Sequence, residues 1–190
     1  MAQRVKNMRQ LLIEAGIEEI NRVGVTDFSV RRVATNCGVS CAAPYKHFKD
    51  KREFIACIID FVNEQWFAQQ AEILARCSGS PREQIVEIVV GYVRFLMEKP
   101  CYRSILMLKD AEFDNLYHRA KGQSTSRTQM IQAEFFGSVD WDSERVQRKI
   151  HIVRAILFGS VFLMNSGEFT YNEKMLENVR MAVDREFDLP

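Results

Sequence analysis

Residues 29–48 read SVRRVATNCGVSCAAPYKHF, and the punctuation of this stretch decides the fold. Ser29 suits an N-cap, and Phe28 before it can staple onto Val33, so a short helix is expected to open here and run to Cys37. Gly38 stops it by offering the positive φ that a tight turn requires. Ser40 then suits the cap of another short helix running to Phe48. Asn36 to Ser40 is left as a short turn between two short helices, which is the spacing of a helix-turn-helix. Pro44 falls in the first turn after Ser40, where its missing N–H predicts a shortened or tightened start.

Outward from this stretch the chain reads as helices throughout, with no β pattern. Ile13, Gly16, Ile17, Ile20 and Val23 recur at three and four residues, predicting a helix over 4–23 that ends at Gly24. Asp50, with Glu53 three residues on, predicts a capping box and a long helix to Arg76. After Cys77-Ser-Gly-Ser80, the run Ser80-Pro81-Arg82-Glu83 restarts a helix to Lys99, with a capping Ser, Pro at the first position and Glu at the third. Residues 101–109 and 111–136 read as helices, the second interruptible at Gly122 to Ser126. Val146, Ile150, Val153, Leu157, Val161 and Met164 mark a helix over 143–165. Leu176, Val179, Val183 and Phe187 mark another over 172–187. Two long antiparallel helices of this kind can complete the intrachain core or pack against a symmetry mate as a four-helix bundle.

Composition sets the outer limits. The chain has 190 residues, 47% hydrophobic and 27% charged, with 9 Gly and 4 Pro, the profile of an ordinary globular protein. The net charge of +1 hides an asymmetry, because residues 1–52 hold ten Lys or Arg against five Asp or Glu. The charge that could meet phosphate therefore sits at the N-terminus. Cysteines at 37, 41, 57, 77 and 101 form no CxxC pair and have no His at metal-ligand spacing, so reduced thiols are expected and no metal site. No nucleophile with a base, paired carboxylates or Gly-rich phosphate loop stands at an interpretable spacing. No enzyme and no cofactor are expected. The start lacks the apolar core of a signal peptide, and the longest apolar run, Ala155 to Met164, is too short to cross a bilayer, predicting a cytoplasmic protein with no membrane partner.

Ser29, Val33-Ala34, Gly38-Val39-Ser40, Tyr45-Lys46-His47-Phe48 and Lys51 together resemble the DNA-binding segment of the TetR family of transcriptional regulators. The likeness is specific over residues 10–55, and beyond them only length and helix order agree. It implies an all-α protein: a helix-turn-helix DNA-binding domain over 1–52, joined by a long helix to a helical effector-binding and dimerisation domain over 53–190. It also implies a homodimer, formed through the helices near 143–165 and 172–187, and a repressor released from a palindromic operator by a small-molecule effector. The alternative is a helix-turn-helix regulator or interaction module controlled by a protein partner or by cysteine oxidation.

Candidate DNA contacts are Ser29, Ser40 and Tyr45 as hydroxyl donors to phosphate, with Lys46, His47 and Lys51 adding charge or donors. Arg31 is a candidate for a groove or backbone contact. The sequence departs from the family pattern at Cys41-Ala42-Ala43-Pro44, where small apolar side chains suit thymine methyls, with Lys46 available for guanine. Cys41 among basic residues, placed at a helix start, also suggests an oxidation switch. For an effector pocket between helices, Tyr102, Arg103, His118, His151 and Asn165 are the candidate polar anchors.

Overall fold

The computed structural model describes residues 7–107 and 126–189. The described residues are all helical apart from turns and connections, and they fall into two compact units. One comprises residues 7–65 with 100–107, the other 66–99 with 126–189.

The first unit opens with α1 (Met8–Val23), whose first turn is held by Asn7 Oδ1 accepting from Arg9 N at 3.2 Å. Gly24, at φ 79°, ends it. The short α2 (Val30–Asn36) starts as expected, with Ser29 Oγ accepting from Arg32 N at 3.4 Å, and Gly38 at φ 69° turns the chain out of it. The next expectation fails. Residues 40–48 form no α-helix but a turn leading into a single 3₁₀ turn, Pro44–Lys46. Pro44 has no N–H to give Ser40, and the backbone closes mainly three-residue steps, Ala43 N to Ser40 O at 2.9 Å and His47 N to Pro44 O at 2.9 Å, with one four-residue step from Phe48 N to Pro44 O at 3.0 Å. Ala43, not Ser40, stands at the start of that turn, and no side chain caps it.

The long helix α3 (Lys51–Arg76) follows, with Asp50 Oδ1 accepting from Glu53 N at 2.8 Å. The reciprocal bond of the predicted capping box is shifted by one residue, since Glu53 accepts from Lys49 N rather than from Asp50. Leu12, Ile13 and Ile17 of α1, Val33 and Ala34 of α2, and Phe54, Ile55 and Ile58 of α3 are all buried. Phe54 ties the motif together, stacked on Phe48 at 4.0 Å between ring centroids and edge-on to Phe28 at 5.4 Å. Gly16 lets α3 approach closely, because a Cβ there would meet Ile58. The helix α5 (Pro100–Met107) packs on α1 and buries Ile105 and Leu106.

In the second unit α4 (Pro81–Glu98) lies among α6 (Ser126–Ser138), α7 (Ser143–Asn165) and α8 (Glu173–Glu186). Its start is the capping box expected from Ser80 and Glu83, with both reciprocal bonds present. Val86, Val89, Val93 and Leu96 of α4 form the core with Val153, Leu157 and Val161 of α7 and Leu176, Val179 and Val183 of α8. Trp66 of α3 joins it, 4.6 Å from Tyr92 and 5.5 Å from Phe95 between ring centroids. Of the expected helix over 111–136, only the part from Ser126 onward lies within the described residues.

Candidate nucleic-acid interface

Residues 29–52 carry six Lys or Arg against one carboxylate, Asp50. Two of the six are committed inside the fold. Arg32 Nε donates to Glu19 Oε1 at 2.5 Å, and Lys51 Nζ donates to the Thr26 carbonyl at 3.0 Å. Lys51, singled out in the sequence as a phosphate ligand, therefore also ties the start of α3 to the loop between α1 and α2. Arg31, Lys46, Lys49 and Arg52 are exposed and carry the outward charge of the segment.

The other sequence candidates divide by burial. Ser40, Cys41, Ala42, Lys46 and His47 are exposed, and Tyr45 is 57% exposed. Ser29 is half-buried, and its Oγ accepts the α2 cap bond from Arg32 N, which leaves its O–H as a donor. Ala43 is half-buried and Pro44 buried, so the two hold the turn against the core while their neighbours face out. Cys41 lies in the turn before the 3₁₀ segment, not at the start of an α-helix. The helix-terminus setting behind its proposed redox sensitivity is thus missing.

What fixes this surface is a buried ion cluster that sequence reasoning missed. Glu19 of α1 is 1% exposed and accepts from both Arg22 Nη2 at 2.6 Å and Arg32 Nε. Arg32 also donates to the Asp27 carbonyl, so α1, α2 and the loop between them are locked together beneath the outward face. Burial pushes the Glu19 carboxyl up, but the hydrogen bonds and charges of Arg22 and Arg32 outweigh it and hold the group below the ordinary carboxylate range. No local pattern signals a pair thirteen residues apart in sequence.

The expected pocket anchors divide between the two units. Tyr102 and Arg103 are half-buried on α5, His151 and Asn165 are exposed on α7, and His118 lies outside the described residues. Burial raises the Tyr102 phenol. A polar group not singled out in the sequence is Asn63 of α3, which is 4% exposed and whose Nδ2 has no hydrogen-bond partner among the described residues. Among the described residues no group of His, Cys, Asp or Glu is placed to hold a metal ion, and no helix is long and apolar enough to cross a membrane.

Comparison with known proteins agrees with this arrangement. Residues 12–57 match the model of the bacterial regulatory proteins of the tetR family. The HTH-type transcriptional regulator BetI of Pectobacterium carotovorum subsp. carotovorum is 31% identical over 84 residues, 44% of this chain and 43% of that protein. The matched segment therefore spans less than half the length of that relative. A TetR-like transcriptional regulator from Rhodococcus sp. RHA1 superposes with a TM-score of 0.70 at 14% identity, covering 98% of this chain and 95% of that one. The transcriptional regulator FadR from Bacillus subtilis, solved with stearoyl-CoA, has a TM-score of 0.73 at 15% identity, covering 93% and 95%. The helix-turn-helix segment is thus matched in sequence to the tetR family over residues 12–57, and the helical architecture is that of TetR-like regulators along nearly the whole chain.

Proposed function

We propose that this protein is a homodimeric repressor that binds a palindromic operator and releases it when a small molecule binds the helices after residue 52. The observation that carries the DNA-binding part is the outward set Arg31, Ser40, Tyr45, Lys46 and His47, displayed on a unit whose underside is locked by Glu19 and Phe54. Hydroxyls and cations of this kind position a protein on phosphates, and a rigid scaffold lets a few side chains reach base edges. Ser29 serves the segment's geometry as the α2 cap and keeps its O–H to offer a phosphate. Lys51 offers a phosphate the donors left over from Thr26.

Dimerisation through α7 and α8 is supported by apolar groups facing solvent there: Phe162 is 62% exposed and Met181 56%. Ala155 is exposed nearby, and a Cβ at Gly159 would meet only open space. Effector binding has two supports. The similarly folded FadR holds an acyl-CoA. The Asn63 amide is a buried donor whose hydrogen bond an acceptor oxygen on a ligand would complete.

Selection of bound duplexes from a random DNA pool, at stated salt, tests the reading. The expected product is a palindrome whose half-sites lie one helical turn apart, about 34 to 36 Å. Salt-sensitive binding with no sequence preference would overturn it. Small molecules that raise Tm and weaken operator binding together are then the expected effectors, since a typical coupling is worth about 5- to 150-fold in affinity.

A further inference from the structure

The turn that should read DNA presents an apolar surface at its leading edge. Of the three consecutive small residues, the fold sorts Cys41 and Ala42 outward and Ala43 partly inward, and it buries Pro44 as the anchor. The turn before the 3₁₀ segment is closed by Ala43 N donating to Ser40 O at 2.9 Å, which leaves Cys41 and Ala42, the two residues it spans, exposed at its tip. Ala42 has no polar atom, and a thiol is a weak donor and a weak acceptor. Neither can make the bidentate hydrogen bonds by which Arg, Asn or Gln distinguish bases.

In the major groove the edges of the four bases present donors and acceptors, with one apolar exception, the C5 methyl of thymine. A methyl-sized side chain on a backbone close to the groove floor discriminates through that group. We propose that Cys41 and Ala42 read thymine methyl groups, so that each operator half-site contains at least one thymine whose C5 methyl is required for full affinity. This rests on the DNA-binding reading above and adds the chemistry of the base contact. Lys46, exposed beside them, supplies charge that does not depend on the methyl.

Deoxyuridine separates the two, because it pairs as thymine does and lacks only the methyl. With the full chain and its selected palindrome, each thymine is replaced in turn and binding is measured at fixed salt. One or two positions per half-site should weaken binding about three- to five-fold, the scale of one lost methyl contact. Ala42→Gly and Cys41→Ser should bind the thymine operator less tightly and shrink the thymine–uracil difference. Lys46→Ala should weaken both duplexes alike. Because a glycine could loosen the turn, Ala42→Ser, which keeps the Cβ and adds a hydroxyl, is measured beside it and should shrink the difference as well. Uracil tolerated at every position, or a thymine–uracil difference unchanged in all three variants at 41 and 42, overturns the proposal while the DNA-binding reading stands. Failure to select any palindrome overturns both.

Discussion

Two side chains illustrate how burial assigns meaning that sequence position does not. Glu19 follows an exposed Glu18 on α1, yet it is sealed beneath Arg22 and Arg32, whose side chains are 57% and 47% exposed. Replacing it by Gln removes charge-assisted hydrogen bonds, but water recovers part of the loss on the arginines. Glu19→Gln should therefore cost about 2 kcal/mol, read by urea unfolding at neutral pH. The folded carboxyl titrates below its unfolded value, so its contribution is fully present above the ordinary carboxylate range and is lost as pH falls through the folded value. The difference between wild type and Glu19→Gln should accordingly shrink below about pH 4. A difference constant from pH 7 to pH 3 would show that the pair is not ionic in origin. Asn63 predicts the opposite sign. Its buried, unpartnered amide costs about 1 to 3 kcal/mol, so Asn63→Leu should raise Tm by a few degrees while abolishing any effector response that uses that donor. A fall in Tm would mean the amide has a partner in solution.

At the scale of elements, helix ends matter more than helix interiors. The C-terminus of α8 is closed by a lysine from another helix: Lys149 Nζ, in α7, donates to Glu186 O at 2.8 Å, Glu186 Oε1 at 2.9 Å and Leu189 O at 2.8 Å. Those three bonds use all three ammonium hydrogens, which is how a lysine only 1% exposed remains satisfied. Lys149→Met strands the Glu186 carboxylate and two carbonyls. It should cost about 3 kcal/mol in thermal or urea unfolding, whereas Lys149→Met combined with Glu186→Leu should recover much of that loss. Additive losses in the double variant would refute the pairing. The same α8 end is gripped from α4, where Arg82 holds Asp184 at 2.7 Å and Asp188 at 2.6 Å. These arginine contacts hold the Asp188 carboxyl below its usual range. The reading segment shows the converse. Where an α-helix was expected, the segment with Pro44 at its start and no side-chain cap forms a single 3₁₀ turn.

For the whole molecule, the proposed dimer is tested on the surface that α7 and α8 leave to solvent. Phe162→Glu combined with Met181→Glu changes two residues that are more than half exposed, so helix content by circular dichroism should stay the same. Analytical ultracentrifugation should then show a dimeric wild type and a monomeric variant. Operator binding should fall steeply with it, because a monomer holds only one half-site. A double variant that stays dimeric would move the interface elsewhere. The N-terminal excess of positive charge makes salt dependence the matching test on DNA. Loss of one phosphate-contacting lysine should flatten the log–log salt slope by about one.

The order of the described helices, the caps at Ser29, Asp50 and Ser80, and the turn at Gly38 were legible in the sequence alone, whereas the short helix expected over 40–48 was not. Each depends on neighbours within a turn or so of chain, where spacing and residue type carry the physics. The outward positions of Ser40, Tyr45, Lys46 and His47 followed from the same local pattern. Tertiary structure alone decided that Lys51 reaches Thr26, that Arg32 is held by Glu19 rather than left to solvent, that Ala43 turns inward, and that Lys149 closes a helix 37 residues away. Those outcomes depend on which distant groups meet once the apolar faces are buried, and no periodicity along the chain records that.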